Sequence, residues 1–260
     1  MKDTASNLDS AQNDSIPPLQ VLVPGFSVKE ISLDLNNINV VRYGSDGKLY
    51  ALAYDGNIYV LSDTDGDGLE DKAYYWWDKK PLVSPVGMVV ADEGIYVTCL
   101  NKVSLIKDLD NDGIAETEEI ITSDWEKPSV YTGTTATGVD AFGIAKDKKG
   151  NIFFALGSAD FTKPYMVDSL GNSKYNLESE RGTILKVRPG SSAREIFVTG
   201  TRFPVAMAFN KEGDLFATDQ EGATWAPNGN PYDELLHIQE GRHYGFPTRH
   251  PKYLPNVIDE

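Results

Sequence analysis

The stretch Ile38-Asn-Val-Val-Arg-Tyr-Gly-Ser-Asp-Gly-Lys-Leu-Tyr-Ala-Leu-Ala-Tyr-Asp-Gly-Asn-Ile-Tyr-Val-Leu61 contains three apolar runs and two turns. Ile38 to Tyr43, Leu49 to Ala53 and Asn57 to Leu61 are β-branched, aromatic and partly alternating, a pattern that suits pleated strands better than a helix. Ser45-Asp-Gly-Lys48 is a glycine turn, and Asp55-Gly56 is a pair favoured in tight hairpins. The stretch is therefore read as three antiparallel strands.

The pattern recurs downstream. Val86-Gly-Met-Val-Val90 leads through Glu93-Gly94 to Ile95-Tyr-Val-Thr98, and Phe142-Gly-Ile-Ala145 leads through Lys149-Gly150 to Asn151-Ile-Phe-Phe-Ala-Leu156 and, after an insertion, to Gly182-Thr-Ile-Leu-Lys-Val187. A fourth copy is Val205-Ala-Met-Ala-Phe209, Glu212-Gly213, Asp214-Leu-Phe-Ala-Thr218 and Asp233-Glu-Leu-Leu-His-Ile238. The turn glycines at 47, 94, 150 and 213 lie 47, 56 and 63 residues apart. Short strands repeating at such periods predict an all-β chain folded as a β-propeller, with about four blades recognisable, because each blade buries its faces only against its neighbours. A β-sandwich would space its strands more closely and less self-similarly.

Two loops after the third strands carry a metal-binding spacing. Asp63-Thr-Asp-Gly-Asp-Gly-Leu-Glu-Asp71 brings Asp63, Asp65, Asp67 and Asp71 towards one point with the carbonyl of Leu69. Asp108-Leu-Asp-Asn-Asp-Gly-Ile-Ala-Glu116 repeats it with Asp108, Asp110, Asp112, the Ile114 carbonyl and Glu116. Five oxygen donors approach the roughly six to eight that calcium takes, and carboxylates so close together need a cation. Two structural calcium ions are predicted, in turns that join strands. The rival reading is an EF-hand, since Glu119 stands where a twelve-residue loop places its last ligand; Tyr74 occupies that position in the first loop. The strand-like residues before each loop favour the turns.

The formal charge of −15 disfavours nucleic acid and anionic membrane as partners, and part of it belongs to the loops. The lone cysteine, Cys99, sits in a strand-like run as a small buried hydrophobe. No stretch is long and apolar enough to span a membrane. Calcium loops of this kind need the high free calcium of the periplasm, cell surface or extracellular space, so that location is expected, with a targeting segment cut away. Residues 1–19, rich in Ser, Asn, Asp and Gln, read as a disordered tether, and 20–260 as the propeller domain. No pattern near the C-terminus completes a ring, so missing blades or a downstream domain are expected as partners.

In the fourth copy, Gly200-Thr-Arg-Phe-Pro-Val-Ala-Met-Ala-Phe209, Asp233-Glu-Leu235 and Gly241-Arg-His-Tyr-Gly-Phe-Pro247 resemble the soluble PQQ-dependent aldose and sorbosone dehydrogenases, as does Arg181-Gly-Thr-Ile-Leu-Lys-Val187 upstream. The first blades look more like bacterial membrane-bound dehydrogenase domains. The resemblance implies a six-bladed propeller, PQQ as a cofactor, an aldose or polyol as substrate, and Arg202 as the arginine that meets the cofactor. It also implies an asparagine where this chain has Phe203, and a histidine base near residues 139 to 142, which read Val-Asp-Ala-Phe. Asp140 is the alternative base at that place.

His237 reads as structural, and His243 and His250 flank a Pro/Gly turn. Tyr74-Tyr-Trp-Trp77 reads as the outer strand of a blade, whereas Trp125 and Trp225 lie in loops where they could stack on a sugar ring. Three functions stay open. The first is a PQQ-dependent oxidoreductase. The second is a calcium-stabilised propeller that binds a sugar, a glycan or a protein partner. The third is a lactonase-type hydrolase with a central calcium held by residues such as Asp140, Asp160 and Asp219.

Overall fold

The computed structural model describes residues 21–79, 82–126, 140–158, 170, 178–220 and 232–246. Fifteen strands and no helix occur among them, so no described helix is long and apolar enough to cross a membrane. Leu33–Glu260 forms one compact unit and Met1–Ser32 another. Within the latter, residues 21–32 are exposed and carry no strand. The tether expected at 1–19 lies outside the described residues, as do Asp160, Trp225 and His250.

Four antiparallel sheets follow one another along the chain. Blade 1 holds β1 (Ile38–Tyr43), β2 (Leu49–Ala53), β3 (Ile58–Ser62) and β4 (Lys72–Trp77) in sequence order. Blade 2 holds β5 (Gly87–Ala91), β6 (Gly94–Cys99), β7 (Lys102–Lys107) and β8 (Thr117–Ser123), and blade 3 holds β9 (Ala141–Lys146), β10 (Ile152–Leu156), β11 (Thr183–Val187) and β12 (Arg194–Thr199). Blade 4 has β13 (Pro204–Phe209), β14 (Leu215–Asp219) and β15 (Glu234–Ile238) among the described residues. The inner strands β1, β5, β9 and β13 lie side by side. This is the β-propeller that the repeats predict, and the turns at glycines 47, 94, 150 and 213 each join the first two strands of a blade.

The core lies between blades, and the two-residue period of a strand explains how. On β6, Ile95 and Val97 pack with Leu52, Ile58 and Val60 of blade 1, while Tyr96 joins Ile144, Ile152 and Phe154 of blade 3. On β10, Phe154 faces blade 2, whereas Phe153 and Ala155 join Met207, Leu215 and Ala217 of blade 4. A strand covered on both faces is apolar on both, which accounts for the unbroken runs of β2 and β10, and for β6, where Thr98 is the one polar residue and is hydrogen-bonded to Phe142. Each fully buried Leu or Ile contributes about 1.5–3 kcal/mol. The Tyr74–Trp77 run forms the outer strand β4 as expected, with Trp76 packed edge-on against Tyr50. Cys99 is buried, and that burial pushes its thiol up to about 11, in keeping with a packing role.

Neighbouring inner strands approach closely at Gly87, where an added Cβ would lie 2.3 Å from Thr98 Oγ1 and 2.4 Å from the Phe142 carbonyl oxygen. The Thr98 hydroxyl donates to that carbonyl across the junction of blades 2 and 3. Gly87→Ala must push the two blades apart. It is expected to lower stability by about 1–3 kcal/mol, read as a lower urea midpoint with an unchanged denaturant slope.

Candidate functional site

Both acidic loops occupy the same place in their blades. Residues 63–71 join β3 to β4, and 108–116 join β7 to β8, so strands flank each loop. Glu119, the residue an EF-hand would need, lies on β8 and pairs with Lys107. The loops are turns between strands, as the periodicity indicated.

Their interiors differ. In the first, Asp63, Asp65 and Asp67 place one carboxylate oxygen each within 4.8 Å of one another, all on exposed residues. Asp63 accepts from the backbone N–H groups of Gly66 and Gly68 at 2.7 and 2.8 Å, and these hold its carboxyl below the ordinary aspartate range, Gly68 most strongly. Leu69 donates its N–H to Asp67. Asp71 stands apart from the trio and accepts from Thr64, from both the backbone N–H and the hydroxyl. In the second loop Asp108, Asp110, Asp112 and Glu116 all converge within 4.8 Å. Gly113 donates to Asp108 Oδ2, the Ile114 N–H to Asp112, and the Leu109 N–H to Glu116.

One atom distinguishes the second loop. Asp108 Oδ1 is buried and has no hydrogen-bond partner among the described residues. A buried carboxylate oxygen left bare is costly, and a hard cation held by the four converging side chains would remove that cost. The donor set of the second loop thus fits calcium. The second loop is also tied into the propeller: the Ala115 N–H donates to the Trp76 carbonyl of blade 1 at 2.7 Å, and Lys79 Nζ donates to the Ala115 carbonyl. It borders a cleft of about 390 Å³ between blades 1 and 2, lined in part by Asp46, Tyr50, Asp92 and Asp108.

The residues nominated for catalysis are placed differently. Asp140 precedes β9 and forms a buried ion pair with Arg181, with side-chain exposures of 3% and 2%. The Trp125 indole N–H donates to Asp140 Oδ2, and Arg181 Nε donates to the Glu126 carbonyl. Trp125 is therefore no sugar platform, contrary to the loop reading: it is 3% exposed, packs on Phe154 and has the Arg194 guanidinium over its ring. Arg194 in turn clamps Glu180 and donates to the Thr122 hydroxyl and the Ser123 carbonyl, joining blade 3 to blade 2. Asp219 accepts from the backbone N–H groups of Arg202 and Phe203 at 2.9 and 2.6 Å. Asp140 and Asp219 are thus committed to separate networks, and no carboxylate set for a central ion is assembled from them.

Arg202 is 1% exposed. Its Nη1 donates to the Gln220 carbonyl, and its guanidinium lies 4.5 Å from the centre of the Phe203 ring. His237, on β15, stacks on Phe216 as a structural residue. His243 sits beside Thr199, 3.0 Å from its hydroxyl. Spacing alone could not reveal the Arg181 partner of Asp140, although an arginine at the turn entering a strand of an acidic chain was a signal available to find it.

A family model described as a domain of unknown function, DUF7133, matches residues 38–244. No curated protein matches the chain. Among solved structures, a carbohydrate-active enzyme of family AA12 from Trichoderma reesei superposes with a TM-score of 0.68 at 16% identity, covering 93% of this chain and 66% of its own. The PQQ-bound form of an aldose sugar dehydrogenase from Streptomyces coelicolor gives 0.61 at 16% identity, covering 86% and 66%. The PQQ domain of a pyranose dehydrogenase from Coprinopsis cinerea gives 0.58 at 12% identity, covering 80% and 52%. This chain spans less than two thirds of the length of each of these structures. The likeness is one of fold, shared with propellers of the PQQ-dependent sugar dehydrogenase type.

Proposed function

The chain belongs to the DUF7133 family, and we propose that within it the chain serves as a calcium-stabilised propeller on the sugar-dehydrogenase scaffold, binding a carbohydrate rather than oxidising one. The observation that carries this reading is Asp140. It is the carboxylate available as a base at the entry to the third inner strand, and it is buried against Arg181 and Trp125. A general base must be within reach of the proton it removes; a carboxylate enclosed by an arginine and an indole is not. The carbohydrate class is carried over from the neighbouring structures, described as carbohydrate-active, aldose and pyranose enzymes. Calcium would be held by Asp108, Asp110, Asp112 and Glu116 with the Ile114 carbonyl. A second ion would be held by Asp63, Asp65 and Asp67, with Asp71 and the Leu69 carbonyl completing the set if Thr64 releases Asp71. A bound ion would neutralise each cluster and tie its loop to the blade.

The oxidoreductase reading, in which the same scaffold oxidises an aldose or polyol with PQQ, is favoured by the PQQ-bound neighbour. It requires Arg202 to reach a cofactor carboxylate. The bacterial membrane-bound dehydrogenase likeness and a periplasmic or cell-surface location belong with either reading, as both need extracytosolic calcium.

Further blades or a downstream domain are also part of the proposal. On the face of blade 1 turned away from blade 2, Leu33 and Leu35 pack on the Leu49, Ala51 and Leu61 cluster, while Val41, Tyr43 and Tyr75 on the same face stay exposed. Tyr43 on that face is 67% exposed, and Leu235, on the face of blade 4 turned away from blade 3, is 72% exposed. Apolar blade faces of this kind are ordinarily covered by the next blade.

The reading is tested by probing the calcium-loaded chain on an array of neutral and acidic oligosaccharides. Saturable retention that chelator abolishes is the expected result. Equal and negligible signal on every glycan would dispose of the carbohydrate reading.

A further inference from the structure

We infer that the junction between blades 3 and 4 is closed by a Phe142–Phe203–Arg202 stack and takes no PQQ; this builds on the binding-module reading above. The group in question carries three carboxylates, so a site for it must present cationic donors to open space. The described residues at this junction do the opposite. Phe142, on β9, and Phe203, just before β13, pack with ring centres 4.9 Å apart. The Arg202 guanidinium lies against Phe203 and gives Nη1 to the Gln220 carbonyl. Its own backbone is pinned on both sides, since the Arg202 N–H donates to Asp219 and the Ser158 N–H donates to the Arg202 carbonyl.

Gly157 supplies the room for the stack. A Cβ there would lie 2.5 Å from Phe203 Cε1 and 2.7 Å from Phe142 Cε2, so only a residue without a side chain fits against both rings. The rings, the glycine and the arginine form one mutually dependent arrangement. The other arginine in this region, Arg181, keeps Nη2 without a hydrogen-bond partner, but its side chain is 2% exposed and its remaining donors serve Asp140 and the Glu126 carbonyl. A ligand with three carboxylates therefore finds no accessible cation among these residues, and Phe203 offers it no polar contact.

The test is equilibrium dialysis of PQQ against the full calcium-loaded chain, with the quinone absorbance as readout and thermal melting alongside. The expected result is no saturable uptake and an unchanged melting midpoint. Uptake approaching one PQQ per chain with a raised midpoint would overturn the inference. A double-mutant cycle of Phe142→Ala and Phe203→Ala checks the stack itself. Each single change is expected to lower the melting midpoint, and the double change to lower it by less than the two together; strictly additive losses would show that the rings do not act as a unit. Loss of glycan retention without PQQ uptake overturns the carbohydrate reading and leaves this inference standing, whereas PQQ uptake with glycan retention intact overturns this inference and leaves carbohydrate binding standing.

Discussion

Asp140→Ala is expected to lower stability by about 3–5 kcal/mol, the cost of leaving a buried charge without its partner. The substitution strands the Arg181 guanidinium at 2% side-chain exposure and removes the acceptor of the Trp125 indole N–H. Because the pair is withdrawn from solvent, salt should change the loss little, unlike that of a surface pair. Removing both charges with Asp140→Leu and Arg181→Met should recover most of the stability, since an apolar pair of similar volume needs no desolvation. Urea unfolding with a constant slope measures both variants. A loss below about 1 kcal/mol for Asp140→Ala would mark the pair as solvent-screened and would return Asp140 to consideration as a base.

Chelation is the second large effect. An ion present at a hundred times its dissociation constant stabilises the folded chain by about 2.7 kcal/mol. At about 2–4 °C per kcal/mol for a domain of this size, its removal should lower the melting midpoint by roughly 5–11 °C. An unchanged melt in excess chelator would remove the calcium proposal. Asp108→Ala should cost more than Asp65→Ala, because the second loop is bonded to Trp76 of blade 1 while the first is an exposed tip. Asp65→Ala should abolish one site in a calcium titration and leave the other; losing both would reveal a coupled pair. Acid acts in the same direction. The native Asp63 carboxyl is held below its unfolded value by the Gly68 and Gly66 amides, so its contribution is complete above the ordinary aspartate range and disappears as pH falls through the depressed native value. Calcium release from the first loop should follow that fall.

The blades were legible in the sequence because strand period, β-branched composition and Asp-Gly or Glu-Gly turns are local signals that repetition reinforces. The donor spacing of the acidic loops was local as well, but it did not show that Thr64 holds Asp71 apart from Asp63, Asp65 and Asp67 while all four carboxylates converge in the second loop. What spacing could not distinguish was the surroundings of the two loops, because the same ligand pattern sits on an exposed tip in blade 1 and against a tryptophan carbonyl in blade 2. Nor could the sequence assign a state to Asp140, Trp125 or Arg202. In the sequence Asp140 reads as the alternative base, Trp125 as a sugar platform, and Arg202 as a cofactor ligand. Only the tertiary fold brought Arg181 to Asp140 across blade 3, packed Trp125 on Phe154 in the core and set Arg202 and Phe203 against Asp219 and Phe142. The chemistry of a charged or aromatic side chain depends on its burial and on partners distant in sequence, and those are supplied by the tertiary structure.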